Sequence, residues 1–339
     1  MITARWQTVF INPRRQTLRS GWRVIVFFLL ALSLAFLFIL LMGSALFLLG
    51  KLNLAPEGTA GSGKLFIGYA FLMASILIAT AICLRFLDRR PFWSIGYYFH
   101  RRWWRDYLVG TGMAAAMIAI IVGIEWAAGM VSLRWSHAPG NEIASGLLIG
   151  LAFFNLAAAF EELTFRGYPL QTLLRDLPPI WPVLITSTLF GIVHAGNPHV
   201  SPLALINTVL AGVWLAVAYL KTRSLWLPTS LHWSWNWTMN SIFGLSVSGL
   251  QGMASSPLLE STQTGPTWLT GGPYGPEGGV LATIVLIAGT LVIWRIRWLA
   301  PSTEMMSFLS ERIAETESPS SAFDGQHAID CDPYQDANR

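Results

Sequence analysis

Three groups of polar residues interrupt otherwise apolar stretches of this 339-residue chain: Glu161 and Glu162 with Arg166, Phe190 with His194, and His232 with Asn236. Carboxylates, a guanidinium and imidazoles are costly to hold at membrane depth, and chains that carry them there generally use them. On a helix Glu162 and Arg166 are four apart and share a face, which suits a charge pair, whereas Glu161 is five from Arg166 and points elsewhere. Glu161 is then the free carboxylate, a candidate general base or acid. His232 and Asn236, again four apart, set an imidazole and a carboxamide donor on one helical face. Together these types point to acid–base chemistry around a common cavity wall.

Two other uses of the same residues stay open. Glu161, His194 and His232 match the three-ligand pattern of catalytic zinc, with water at a fourth position. If Glu161 were a ligand, however, no second free carboxylate would be left as base, and Asn is a poor partner for zinc. The expectation is therefore a site without metal or other cofactor, with one zinc ion as the rival. The second alternative is a scaffold or immunity-type membrane protein without enzymatic activity, whose polar cluster only fixes helix packing. No Ser, Cys or Asp sits at depth beside a His in a way that suggests a covalent nucleophile. Thr186, Ser187 and Ser234 read as ordinary helix residues.

The elements that carry these residues follow from composition. Hydrophobic types make up 53% of the chain and charged types 12%, far from the roughly 25% charged residues of a soluble domain. The fold class expected is an all-α polytopic membrane protein. A bilayer core of ~30 Å takes about 20 apolar residues, and eight runs meet that yardstick: 22–49, 66–86, 107–130, 145–165, 180–195, 202–220, 227–248 and 279–299. The first is too long for a signal-peptide core and reads as a retained anchor. Arg and Lys collect before the first run, at 89–105, at Arg175, at Lys221 and Arg223, and at Arg295 and Arg297. By the positive-inside rule those ends and both termini are cytoplasmic. Trp22, Trp93, Trp103, Trp104, Trp181, Trp226 and Trp298 fall at the same ends, as an interfacial belt would.

Four regions result: three spans in 1–140, a core in 141–250 that holds all three polar groups, an external loop and last span in 251–300, and an acidic, mostly disordered cytoplasmic tail in 301–339. The tail holds eight acids against two basic residues, with a short amphipathic stretch from Met305 to Ile313, so the basic surplus belongs to the membrane body. That surplus suits an anionic lipid surface and not nucleic acid. Cys83 and Cys331 lie in unlike settings and form no disulfide framework. Glu125 is placed near the outer, interfacial end of its span, and His100, His137, His199 and His327 outside the membrane.

Glu161 precedes Pro178 by 17 residues and His194 follows it by 16, so a hairpin turning at Pro178-Pro179 returns the two side chains to one level. Gly167 and Pro169 should bend the first arm, because the Pro169 ring clashes with the Phe165 carbonyl. His232 lies ~8 Å into its span at 1.5 Å per residue, which puts the shared level in the cytoplasmic third.

At these positions the chain resembles a known family. Glu161-Glu162-Leu-Thr-Phe-Arg166, Phe190-Gly-Ile-Val-His194 and His232-Trp-Ser-Trp-Asn236 look like the EExxxR, FxxxH and HxxxN motifs of the CAAX-processing and bacteriocin-processing (CPBP, Abi) intramembrane endopeptidases, similar to the type II CAAX prenyl endopeptidases. The resemblance spans about 145–245. It implies an eight-helix fold whose water-filled site opens to the cytosol, and hydrolysis of a peptide bond in a membrane-associated or prenylated, CaaX-like substrate. It also implies Glu161 as the essential carboxylate, with His194, His232 and Asn236 around the scissile bond. The residue types agree with that chemistry, since amide hydrolysis needs a base for water, donors for an oxyanion and exclusion of bulk solvent. Glu161 would supply the first, and His232 with Asn236 the second. His194 would orient the water or protonate the leaving amine, and Phe190 would pack the wall. The expected partners are a peptide or protein substrate and the lipid bilayer, and the expected setting is a prokaryotic plasma membrane with the site toward the cytoplasm.

Overall fold

Helices form wherever the apolar runs fall, because in lipid every backbone N–H and C=O must be satisfied within its own segment. The computed structural model describes residues 9–12, 17–51, 61–251, 253 and 256–307. Its long helices are α1 (Ser20–Lys51), α2 (Gly61–Ile82), α3 (Trp103–Ala127), α4 (Gly140–Glu162), α6 (Ile180–His194), α7 (Pro202–Thr222), α8 (Trp226–Trp237) and α9 (Val280–Arg295), with a short α5 (Tyr168–Leu173) between the fourth and sixth. Residues 308–339, which hold most of the acidic tail and most of the amphipathic stretch from Met305, lie outside the described residues.

Among the described residues, five helical segments are long and apolar enough to cross a membrane: Ser20–Ala45, Phe66–Asp88, Trp103–Ala127, Gly140–Leu173 and Pro202–Thr222. The eight runs read from sequence thus all become helical, but three fall short of a full span. Helix α6 has 15 residues, or ~22 Å at 1.5 Å per residue, and α9 has 16. Helix α8 has 12 residues and runs on into a π turn at Thr238–Ile242, stopping where Gly244 takes φ 64°.

The basic ends of the helices meet in one layer. Asp88, at the end of the α2 run, accepts from Arg23 Nη1 and Arg175 Nη1 at 2.5 Å each, tying the start of α1 and the turn after α5 to one carboxylate. In the same layer the Arg105 guanidinium lies over Trp298 and Lys221 donates to the Trp294 carbonyl.

At the opposite end the segment between α8 and α9, expected to be a loop, is folded against the bundle. Strand β1 (Val131–Trp135) pairs antiparallel with β2 (Leu259–Gln263), Val131 opposite Gln263. This cover explains one departure from expectation: Glu125, expected at the interface, is fully buried at 0% exposure.

Two apolar cores flank the helices that carry the polar groups. Ile118, Ile121, Phe154, Trp214, Leu231 and Met239 represent the core among α3, α4, α7, α8 and α9, while Phe27, Ala79, Leu163, Tyr168, Val183 and Tyr219 represent that among α1, α2, α5, α6 and α7. Small residues set the approach distances, as is usual between membrane helices. A Cβ on Gly110 of α3 would sit 2.0 Å from Ser230 Oγ of α8, and one on Gly212 of α7 would sit 2.8 Å from Ser187 Cα of α6.

Candidate active site

The first polar group stands where α4 loses its regular winding. After Glu162 the helix passes through a π turn, Leu163–Gly167, and restarts as α5 with Pro169 in its first turn. The expected bend is there. Proline is tolerated in a first turn because the N–H it lacks would be unpaired there anyway, and Gly167 takes the break at ψ −116°. Single π turns inside helices recur at functional sites.

The two carboxylates separate as their spacing requires. Glu162 and Arg166 are both at 0% side-chain exposure, with Arg166 Nη1 donating to Glu162 Oε1 at 3.0 Å. Arg166 Nη2 donates to the Gly212 carbonyl at 3.0 Å, and the Phe190 ring covers the guanidinium at 4.6 Å. Phe190 therefore packs against the charge pair as well as forming wall. Glu161 faces the cavity with both imidazoles near its Oε2: His232 Nε2 at 3.6 Å and His194 Nε2 at 3.9 Å.

Hydrogen bonding fixes the tautomers. His194 Nδ1 lies 2.7 Å from the Phe190 carbonyl, which only accepts, so Nδ1 carries the proton. His232 Nδ1 lies 2.9 Å from Glu162 Oε1 and donates to it. Both neutral rings then turn an Nε2 lone pair toward Glu161. Donation from His232 Nε2 requires the imidazolium, whose two N–H groups would face two carboxylates.

Glu161, His194, His232 and Asn236 line one cavity of about 330 Å³, with Phe153, Phe160, Phe165, Phe190 and Trp214 as its apolar walls. All four residues expected at the site are therefore brought together, with Glu162 and Arg166 directly behind. Among the described residues no group of three or more His, Cys, Asp or Glu side chains is arranged to hold a metal ion. Compared with the expected cytoplasmic third, the cavity extends farther from the basic layer. His194 closes the short α6, and Asn197, Ser248 and Glu277 of the opposite end line the same space.

Several lining residues lie beyond the reach of the sequence argument. Tyr69 arrives from α2, where nothing in its apolar run distinguishes it. Glu277 and Asn197 sit in segments read as lying outside the spans, and Ser248 at the very end of the run 227–248. The role of Glu162 as acceptor for His232 links positions 70 residues apart and has no local signal.

Residues 143–238 match the protein-family model described as Rce1-like, Type II CAAX prenyl endopeptidase Rce1-like. No curated protein matches the chain.

Proposed function

From the type II CAAX prenyl endopeptidase segment that this integral membrane protein carries, we propose that it is an intramembrane endopeptidase that hydrolyses a peptide bond of a membrane-associated or prenylated, CaaX-like substrate with Glu161 as general base. The observation that carries the reading is the convergence of His194 Nε2 and His232 Nε2 on Glu161 Oε2 in one cavity. Those separations exceed a hydrogen bond, and a water ~2.8 Å from the carboxylate and from one imidazole would sit about 2 Å to one side of the line joining them. Its protons point at Glu161 and at His194, leaving a lone pair for the scissile carbonyl. Glu161 takes one proton as the C–O bond forms. The tetrahedral oxyanion is held by the Asn236 carboxamide and by His232 as imidazolium. Collapse breaks the C–N bond, and the proton held by Glu161 passes, directly or through His194, to the leaving amine.

Glu162 and Arg166 act behind this set. Their pair neutralises the charge that Glu162 would otherwise bring, and Glu162 Oε1 fixes the His232 ring. The apolar walls exclude bulk water, which strengthens each of these interactions. Glu161 is kept as base because, as a zinc ligand, it would leave no second free carboxylate for that role.

The test compares new N-termini in membranes of cells carrying the wild type or Glu161→Gln, a nearly isosteric change. Termini that appear only with the wild type, while the variant accumulates equally, support the protease. Identical N-termini with an unchanged phenotype favour the scaffold reading.

A further inference from the structure

The catalytic cavity holds a second carboxylate that the proposed reaction does not use. Glu277 lies in the segment between β2 and α9, outside the family match at 143–238, yet it lines the same cavity as Glu161 and Asn236. Its position is built by several elements. Trp235 Nε1, from the α8 turn between His232 and Asn236, donates to Glu277 Oε1 at 3.0 Å. The Ser248 N–H and hydroxyl donate to Oε2 at 2.7 and 2.8 Å. Asn207 of α7 holds the Glu277 carbonyl at 2.8 Å and the Gly279 carbonyl at 2.9 Å.

Backbone conformation is spent on this arrangement. Ser248 takes φ 49°, uncommon for a residue with a side chain. Gly275, at φ 100°, packs so closely that a Cβ there would meet the Ser246 carbonyl oxygen at 2.1 Å.

Among the described residues the charge itself is left without a cation. All three donors to Glu277 are neutral, no Lys or Arg occurs between Arg223 and Arg295, and none lines the cavity. The imidazoles face Glu161 and Glu162. A carboxylate offers about four lone-pair positions, of which three are taken, leaving one on Oε1. A fixed anion in a mostly apolar cavity is stabilised strongly by an opposite charge that enters with a ligand.

Resting on the protease reading, we propose that Glu277 is a specificity-determining residue that receives a cationic group of the substrate peptide, a Lys or Arg side chain. By anchoring that cation at a fixed distance from Glu161 it selects which peptide bond lies over the attacking water. The substrate class is then a membrane-associated peptide with a basic residue at one set distance from the cleaved bond.

The experiment uses the full chain with Glu161→Gln in lipid nanodiscs, so that peptides bind without turnover. The probes are lipidated peptides with one photoreactive residue and with Lys, Gln or Glu scanned along the sequence. Expected is one Lys position that crosslinks to 246–279 about tenfold more than its Gln and Glu counterparts, the ratio equivalent to 1.4 kcal/mol. Adding Glu277→Gln removes that excess, and Glu277→Asp, which keeps the charge, retains it. Equal crosslinking of the three peptides in the parent, or an excess that Glu277→Gln leaves unchanged, overturns the proposal. Because crosslinking needs no cleavage, a wild-type chain that cuts nothing would sink the protease reading while the Lys excess still decided the role of Glu277.

Discussion

Glu162 Oε1 accepts from two helices at once, from Arg166 Nη1 at 3.0 Å and from His232 Nδ1 at 2.9 Å. The second acid of the tandem pair is therefore the joint through which the π turn after α4 positions the imidazole of α8. Breaking a buried pair by removing one partner costs about 3–5 kcal/mol, because the other charge is left uncompensated. Arg166→Met should accordingly lower the thermal midpoint in detergent and abolish cleavage. Glu162→Gln keeps an acceptor for His232 but strands the guanidinium, and it should destabilise comparably. A midpoint unchanged by either substitution would show that the pair carries no structural charge.

Gly212 serves two neighbours. Its carbonyl receives Arg166, and its missing side chain lets α6 come close enough that a Cβ would sit 2.8 Å from Ser187 Cα. That obstruction is backbone, so no rotamer relieves it. Gly212→Ala should push α6 outward and carry His194 away from Glu161, since misplacement by ~1 Å can cost about 10²-fold in rate. The expected outcome is a drop of that order in kcat at wild-type expression, measured on any peptide the wild type cleaves. Full activity in the alanine variant would contradict the tight α6–α7 contact.

The parts of the site written at helical spacing were legible from the residues alone. Glu162 and Arg166, Phe190 and His194, and His232 and Asn236 are each four apart, so helical spacing alone sets each couple on one face. The presence of the helices was equally readable, because apolar runs are local signals, but three of the eight runs make helices shorter than a span. The vertical placement of His194 and the reach of the segment after α8 were not. Depth depends on where a chain bends and on how far a 15-residue helix rises. The location of Glu277 depends on hydrogen bonds with Asn207, Trp235 and Ser248, 70, 42 and 29 positions away. Polar, Gly-rich sequence at 249–278 looks the same whether it floats or folds back into a cavity.

Metal dependence separates the glutamate mechanism from its rival. With Glu161 as base, dialysis against a strong chelator should leave kcat unchanged, and purified protein should contain no stoichiometric zinc. Zinc ligation would instead enlist Glu161, His194 and His232, and His194→Ala would release the ion. Activity lost on chelation and restored by zinc, with metal content falling in His194→Ala, would replace the mechanism argued above.

His100 gives the fold a pH dependence separate from that of the reaction. It lies in the basic layer outside the spans, 2% exposed, with Nε2 3.4 Å from Ser224 Oγ and 3.8 Å from Asp106 Oδ2. Burial holds its pKa below the ordinary histidine value, outweighing the attraction of Glu304, with Arg102 pushing the same way as burial. Asp106 would favour the charged ring, but 3.8 Å is too long for a hydrogen bond and desolvation prevails. The unfolded chain therefore takes up this proton at higher pH than the folded one. Stability from His100 is fully present above the unfolded pKa of about 6.5 and is lost as pH falls through the lower folded value. The thermal midpoint in detergent should drop as pH falls below about 6.5, and His100→Gln, which cannot titrate but can still meet Ser224, should flatten that slope. A slope identical in the variant would place the acid sensitivity elsewhere.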